Sequence, residues 1–126
     1  MNSSYRTPLG RVRGLGSARL GTQDNWLMRI TSLALIPLSV AFVFLVLSLL
    51  HKDYNGARAV MGEPLPAVIV LLFVLTGVYH TELGMRSVIV DYLQGHLREF
   101  ALIANSCAAV ALGLACVYAV LRIGFV

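Results

Sequence analysis

Three long apolar runs constrain this chain of 126 residues more than any other feature. They predict helices over 27–50, 65–92 and 97–122. Each is long enough to cross a hydrocarbon core, which takes about 20 residues. Between Phe100 and Leu121 the third run carries no charge at all. With 58% apolar residues and 13% charged ones, a domain this small cannot bury its own apolar surface. The excess has to face lipid or partner subunits. The predicted fold class is therefore an all-α membrane protein: three transmembrane helices over 26–126, preceded by an extended basic arm over 1–25.

The charge distribution supports that reading. The net charge of +4 suggests a nucleic-acid binder only until its location is considered. Arg6, Arg11, Arg13 and Arg19 all precede the first apolar run, as the positive-inside rule expects of a cytoplasmic flank. Basic and aromatic residues are not interleaved, and no basic reading helix is present, so nucleic acid is not an expected partner. Arg86 and Arg98 flank the second loop, which puts the N-terminus inside and the C-terminus outside; Arg122 opposes this assignment. The Arg-rich start loosely resembles a transit peptide, but the apolar run after it is too long for a signal-peptide core. It reads as a retained first helix, with an arm expected to dock on a partner subunit. The glycine-rich stretch "GRVRGLGSARLG" lacks the preceding strand and the Lys-Ser/Thr of a phosphate loop.

Local signals mark the helix ends. Trp26 stands at the edge of the first span as an interfacial aromatic. Pro37 lies within that span and is expected to kink the helix, which lipid-embedded helices tolerate. Pro64 and Pro66 suit a first helical turn, and Gly95 breaks the chain between the second and third spans. The connection "HKDYNGARAVMGEP" reads as a short loop. Cys107 and Cys116, nine residues apart on one helix, are about 13 Å apart and cannot pair.

The second span carries the polar residues that need explaining. At about 100° per residue, Thr76, Gly77, Gly84, Ser87 and Asp91 all fall within about 60° of His80. That face is small or polar. Small residues let a helix or a flat ligand approach the backbone. His80 is thus open to three readings: a hydrogen bond to a neighbouring helix, an axial haem ligand, or a proton relay. His51 and His96 fall in loops, so a six-coordinate haem at His80 needs its second ligand from another chain. Asp91 and Tyr92 follow about 16 Å further along the axis, at an interface. They are either a solvated helix end with a belt aromatic, or a carboxylate–phenol pair that holds a carbonyl ligand and delivers protons. Glu82 and Arg86, spaced i, i+4, lie on the opposite face and read as an ion pair.

The spacing of His80, Gly84, Asp91 and Tyr92 resembles the His-x3-Gly-x6-Asp-Tyr signature of the small membrane-anchor subunit of succinate dehydrogenase, respiratory complex II. Trp26, Arg29 and Thr31 resemble the Trp-x-x-Arg-x-Thr start of that subunit's first helix. The stretch "RTPLGRVRGLGSA" is similar to the arm of alphaproteobacterial members. The chain departs from the pattern at Asp24-Asn25-Trp26, where relatives often carry a histidine and an aromatic.

The resemblance implies a b-type haem shared with a second anchor (cytochrome b) subunit, with His80 as one axial ligand to its iron. It implies that Asp91 and Tyr92 help form the ubiquinone site, and that Arg29 lies near the haem or quinone pocket. An iron–sulfur subunit and a flavoprotein subunit complete the implied assembly, which serves the electron transport chain and the tricarboxylic acid cycle. The chain alone is then non-catalytic, a subunit of an oxidoreductase. The implied location is the bacterial inner membrane with a cytoplasmic N-terminus; the mitochondrial inner membrane is the alternative. A competing expectation is a small proton-coupled transporter or a haem-free scaffold, with Glu82 and His80 as polar groups at membrane depth.

Overall fold

A computed structural model describes residues 7–9 and 20–125. Among the described residues four helices follow one another: α1 (Leu20–Leu49), α2 (Tyr54–Gly62), α3 (Pro64–Tyr92) and α4 (Gly95–Phe125). The stretches Thr22–Leu49, Pro64–Tyr92 and Gly95–Gly124 are long and apolar enough to cross a membrane. The 29 residues of α3 extend about 44 Å, more than the roughly 30 Å of a hydrocarbon core. Arg6, Arg11, Arg13 and Arg19, and the docking expected of the arm, lie outside the described residues.

The structure differs from the sequence expectation at two places. Helix α1 begins at Leu20 rather than at 27, so the last residues assigned to the arm are helical. Hydropathy marks where lipid contact begins, whereas helical hydrogen bonding continues into the polar interface. Asp24, in this extension, finds a basic partner on α3. Second, the loop between the first two spans contains the nine-residue helix α2. Asp53 caps it by accepting a 3.0 Å hydrogen bond from the Gly56 backbone N–H. A Cβ at position 56 would stand 2.8 Å from that carboxylate oxygen, so the tight cap explains the glycine. Glu63 is extended, as a residue before proline must be, and Pro64 opens α3.

Residues 93 and 94 alone connect α3 to α4. Leu93 is extended and donates its N–H to the Ile89 carbonyl at 3.0 Å. Gly95 turns the chain with a φ of 60°, a conformation costly for any side-chain-bearing residue. Helix α1 runs through Pro37 as one element.

Helix α3 is the centre of the assembly. Helices α1 and α4 pack along it, and α2 packs against α3 and α4. Phe42 of α1 stacks on Phe73 of α3, with ring centroids 4.4 Å apart. Leu35 approaches to 4.0 Å from where a Cβ on Gly77 would sit. The spans therefore form a row rather than a closed bundle. Buried apolar side chains among the described residues are few: Leu45, Leu83, Ile89 and Val120. Only 6% of the most apolar window of each span is buried. Such surfaces are stable only against lipid or another subunit. Cys107 and Cys116 are both free, as their spacing requires.

Candidate functional site: the two seams of helix α3

His80 sits on the seam between α3 and α1. Its Nδ1 is 2.9 Å from the hydroxyl of Thr31, a buried residue of α1. The same hydroxyl oxygen lies 2.9 Å from the Leu27 carbonyl and 3.0 Å from the Met28 carbonyl. A hydroxyl has one proton to donate, and carbonyls can only accept. When Thr31 gives its proton to its own helix, His80 must donate Nδ1–H to Thr31. That tautomer leaves the lone pair on Nε2. Among the described residues Nε2 has no partner. One turn along, a Cβ on Gly84 would meet nothing within 4 Å. A half-buried imidazole, held through one nitrogen and free at the other beside open space, fits an axial ligand of a flat macrocycle.

The other sequence-predicted residues are not brought to His80. Asp91 and Tyr92 are the last residues of α3, and both are exposed, Tyr92 to 81%. Neither has a polar partner among the described residues. Arg29 is exposed and also unpartnered among them. Two residues from Thr31, it points about 160° away from the His80 seam. Within this chain, then, the four residues present three separate surfaces. His51 lies between α1 and α2, whereas His96, expected in a loop, is the second residue of α4, because that helix starts at Gly95; it faces Glu99 at 3.9 Å. Among the described residues no three His, Cys, Asp or Glu side chains converge on a metal position.

The opposite seam, between α3 and α4, is polar in a different way. Glu82 is only 7% exposed. Its Oε1 accepts a 2.7 Å charge-assisted hydrogen bond from Arg86 and a 3.0 Å bond from the Ser106 hydroxyl of α4. Asn105 donates its amide to the Glu82 backbone carbonyl at 3.1 Å. Arg86 also reaches Asp24 of α1, at 3.8 Å. The ion pair expected from the i, i+4 spacing is present, and it ties three helices together. No buried side-chain polar atom among the described residues lacks a partner.

Residues 3–121 match the family described as succinate dehydrogenase/fumarate reductase transmembrane subunit. The chain belongs to that family. It is 38% identical over 120 residues to the succinate dehydrogenase hydrophobic membrane anchor subunit of Paracoccus denitrificans, covering 95% of this chain and 93% of that protein. It is 30% identical over 105 residues to the subunit of the same name from Rickettsia bellii, covering 82% and 84%. The Rickettsia conorii subunit is 30% identical over 93 residues, covering 73% and 74%. No solved structure matches significantly. The resemblance read from His80, Asp91, Tyr92 and the first-helix motif is borne out at the level of the family.

In this succinate dehydrogenase/fumarate reductase transmembrane subunit, sequence reasoning missed four contributors. Thr31 stood inside the first-helix motif without a role, because its partner lies 49 residues away. Asn105 and Ser106 were passed over as polar residues in an apolar run. A lone polar pair at membrane depth was the available signal, since such groups seek partners. Asp24 was read as part of the arm.

Proposed function

We propose that this chain is the membrane anchor of a succinate:quinone oxidoreductase, and that His80 supplies one axial ligand to a b-type haem shared with a second anchor subunit. The observation that carries the proposal is the Thr31–His80 contact of 2.9 Å, which orients the imidazole and leaves Nε2 free. The haem, when bound, supplies one-electron redox chemistry between the iron–sulfur subunit and quinone. This chain's own residues position it. Thr31 holds the ring, Gly84 leaves room beside it, and the open faces of the helix row offer apolar surface to the second anchor.

Asp91 and Tyr92 contribute to the quinone site from the end of α3. The Tyr92 hydroxyl donates a hydrogen bond to a quinone carbonyl oxygen, and Asp91 passes a proton to that oxygen as the quinone is reduced to the quinol. Both side chains are exposed in the isolated chain, which suits a pocket completed by the second anchor and the iron–sulfur subunit. Arg29 faces a partner surface rather than His80 and lines that shared pocket. The flavoprotein oxidises succinate, so the chain alone catalyses nothing. The membrane is the bacterial inner membrane, with the N-terminus and the Asp91–Tyr92 end on the cytoplasmic side. Seven of the ten Lys and Arg residues belong to that end and support this topology, against Lys52, Arg58 and Arg122 at the other. Proton-coupled transport is the poorer reading, because Glu82, the carboxylate it needs, is committed to Arg86 and Ser106.

The test uses the assembled complex. His80→Ala removes or grossly alters the b-haem absorption bands; a spectrum and haem content equal to wild type refute the ligand assignment. Tyr92→Phe lowers quinone reduction while succinate oxidation with an artificial acceptor persists. Equal loss of both activities marks an assembly defect and refutes a quinone role.

A further inference from the structure

At the end of the molecule away from Tyr92, helices α2 and α4 enclose a half-open cleft of about 590 Å3. Tyr54, Arg58 and Met61 line it from α2; Tyr118, Arg122 and Ile123 line it from α4. The two walls carry the same spacing. Tyr54 and Arg58 are i, i+4 on α2, and Tyr118 and Arg122 are i, i+4 on α4. Each pair therefore shares a helix face, and the two faces meet. Neither arginine has a carboxylate within ion-pair distance among the described residues. Asp53 and Glu63 each lie five residues from Arg58; Asp53 is occupied in capping α2 at 3.0 Å, and Glu63 forms no ion pair with either arginine.

Two unneutralised guanidiniums, two interfacial phenols and an apolar floor have a shared chemical complement. Arginine binds phosphate bidentately, and tyrosine sits at headgroup depth. The level is right as well, since α1 ends at Leu49 and α3 begins at Pro64, so the cleft lies where hydrocarbon gives way to water. The positive-inside rule disfavours arginines on this side, which calls for a local compensating anion. We propose that the α2–α4 cleft is a binding site for an anionic phospholipid, its phosphate between Arg58 and Arg122 and its acyl chains along Met61 and Ile123. Helix α2 is then the wall that turns a surface of α4 into a site. The proposal rests on the membrane reading of the chain and is independent of haem and quinone.

The experiment takes the delipidated complex in detergent and titrates it with phosphatidylglycerol, counting bound lipid by native mass spectrometry. A basic residue near anionic lipid contributes about 1 kcal/mol, or about fivefold in affinity. Arg58→Gln and Arg122→Gln should each weaken binding about fivefold and the double variant about 25-fold. Phosphatidylcholine binding and quinone reduction should stay unchanged. Replacing both arginines by lysine should retain most of the affinity. Ala119→Trp, which fills the cleft but keeps both charges, should block the lipid, and it carries the test if the double variant does not assemble. Arg98→Gln, at the other end, should have no effect. Wild-type phosphatidylglycerol affinity in the double variant or in Ala119→Trp overturns the proposal. So does equal loss in Arg98→Gln. Displacement of the lipid by millimolar inorganic phosphate overturns it in favour of a free-anion site.

Discussion

The two seams of helix α3 handle polar groups in opposite ways. On the α4 side, Glu82 is closed off: Arg86 and Ser106 both donate to Oε1, and Asn105 takes its carbonyl. On the α1 side, His80 is bound at Nδ1 by Thr31 and has no partner at Nε2 among the described residues. A carboxylate paired with an arginine and a hydroxyl at membrane depth holds helices together. An imidazole held at one nitrogen, with the other open, is set up to take a ligand. The i, i+4 partner settles Glu82 locally, whereas Thr76, Gly77 and Gly84, one turn from His80 on its own face, make no hydrogen bond to its imidazole.

The contrast can be broken by substitution. The largest effect is expected at His80: His80→Ala should abolish the b-haem bands in the assembled complex, measured by redox difference spectroscopy. Next, Glu82→Ala should cost about 2 kcal/mol by leaving Arg86 and Ser106 without their acceptor. It should appear as a lower thermal inactivation temperature with the haem spectrum intact at room temperature. A loss of haem as complete as that of His80→Ala would erase the distinction between the seams. Thr31→Ala should be milder, removing one hydrogen bond of about 1 kcal/mol and weakening haem retention roughly fivefold. Thr31→Ser should restore it, measured by haem content after dilution into detergent. Smallest of all, His96→Ala should leave the spectrum unchanged, because His96 is fully exposed and 3.9 Å from Glu99.

The sequence made much of the fold legible, and some of the site. Three spans follow from run lengths, which are local quantities. The 29-residue α3 ends at Tyr92, where the expected span 65–92 ends, because a two-residue turn with a left-handed glycine follows at once. Helix α2 was hidden because its Asn55-Gly56 looks like a turn, although Asp53 three residues before Gly56 was a legible N-cap. His80, Asp91 and Tyr92 were legible as a motif, with His80 and Asp91 on a common face. Whether Asp91 and Tyr92 enclose a ligand was not, because the chain alone leaves both exposed. The repeated Tyr-x3-Arg of the α2–α4 cleft went unremarked, since neither copy means anything until the helices meet.

By itself the sequence determined the number of spans, the polar stripe of α3 and the Glu82–Arg86 pair. All depend on residues within one helix, where spacing dictates proximity. The tertiary structure alone decided that Thr31 orients His80, that Ser106 and Asn105 tie Glu82 to α4, and that Asp24 reaches Arg86. Those contacts depend on which helices are neighbours and at what depth they cross. Apolar surfaces, which attract without direction, leave that choice open until polar groups such as these find one another.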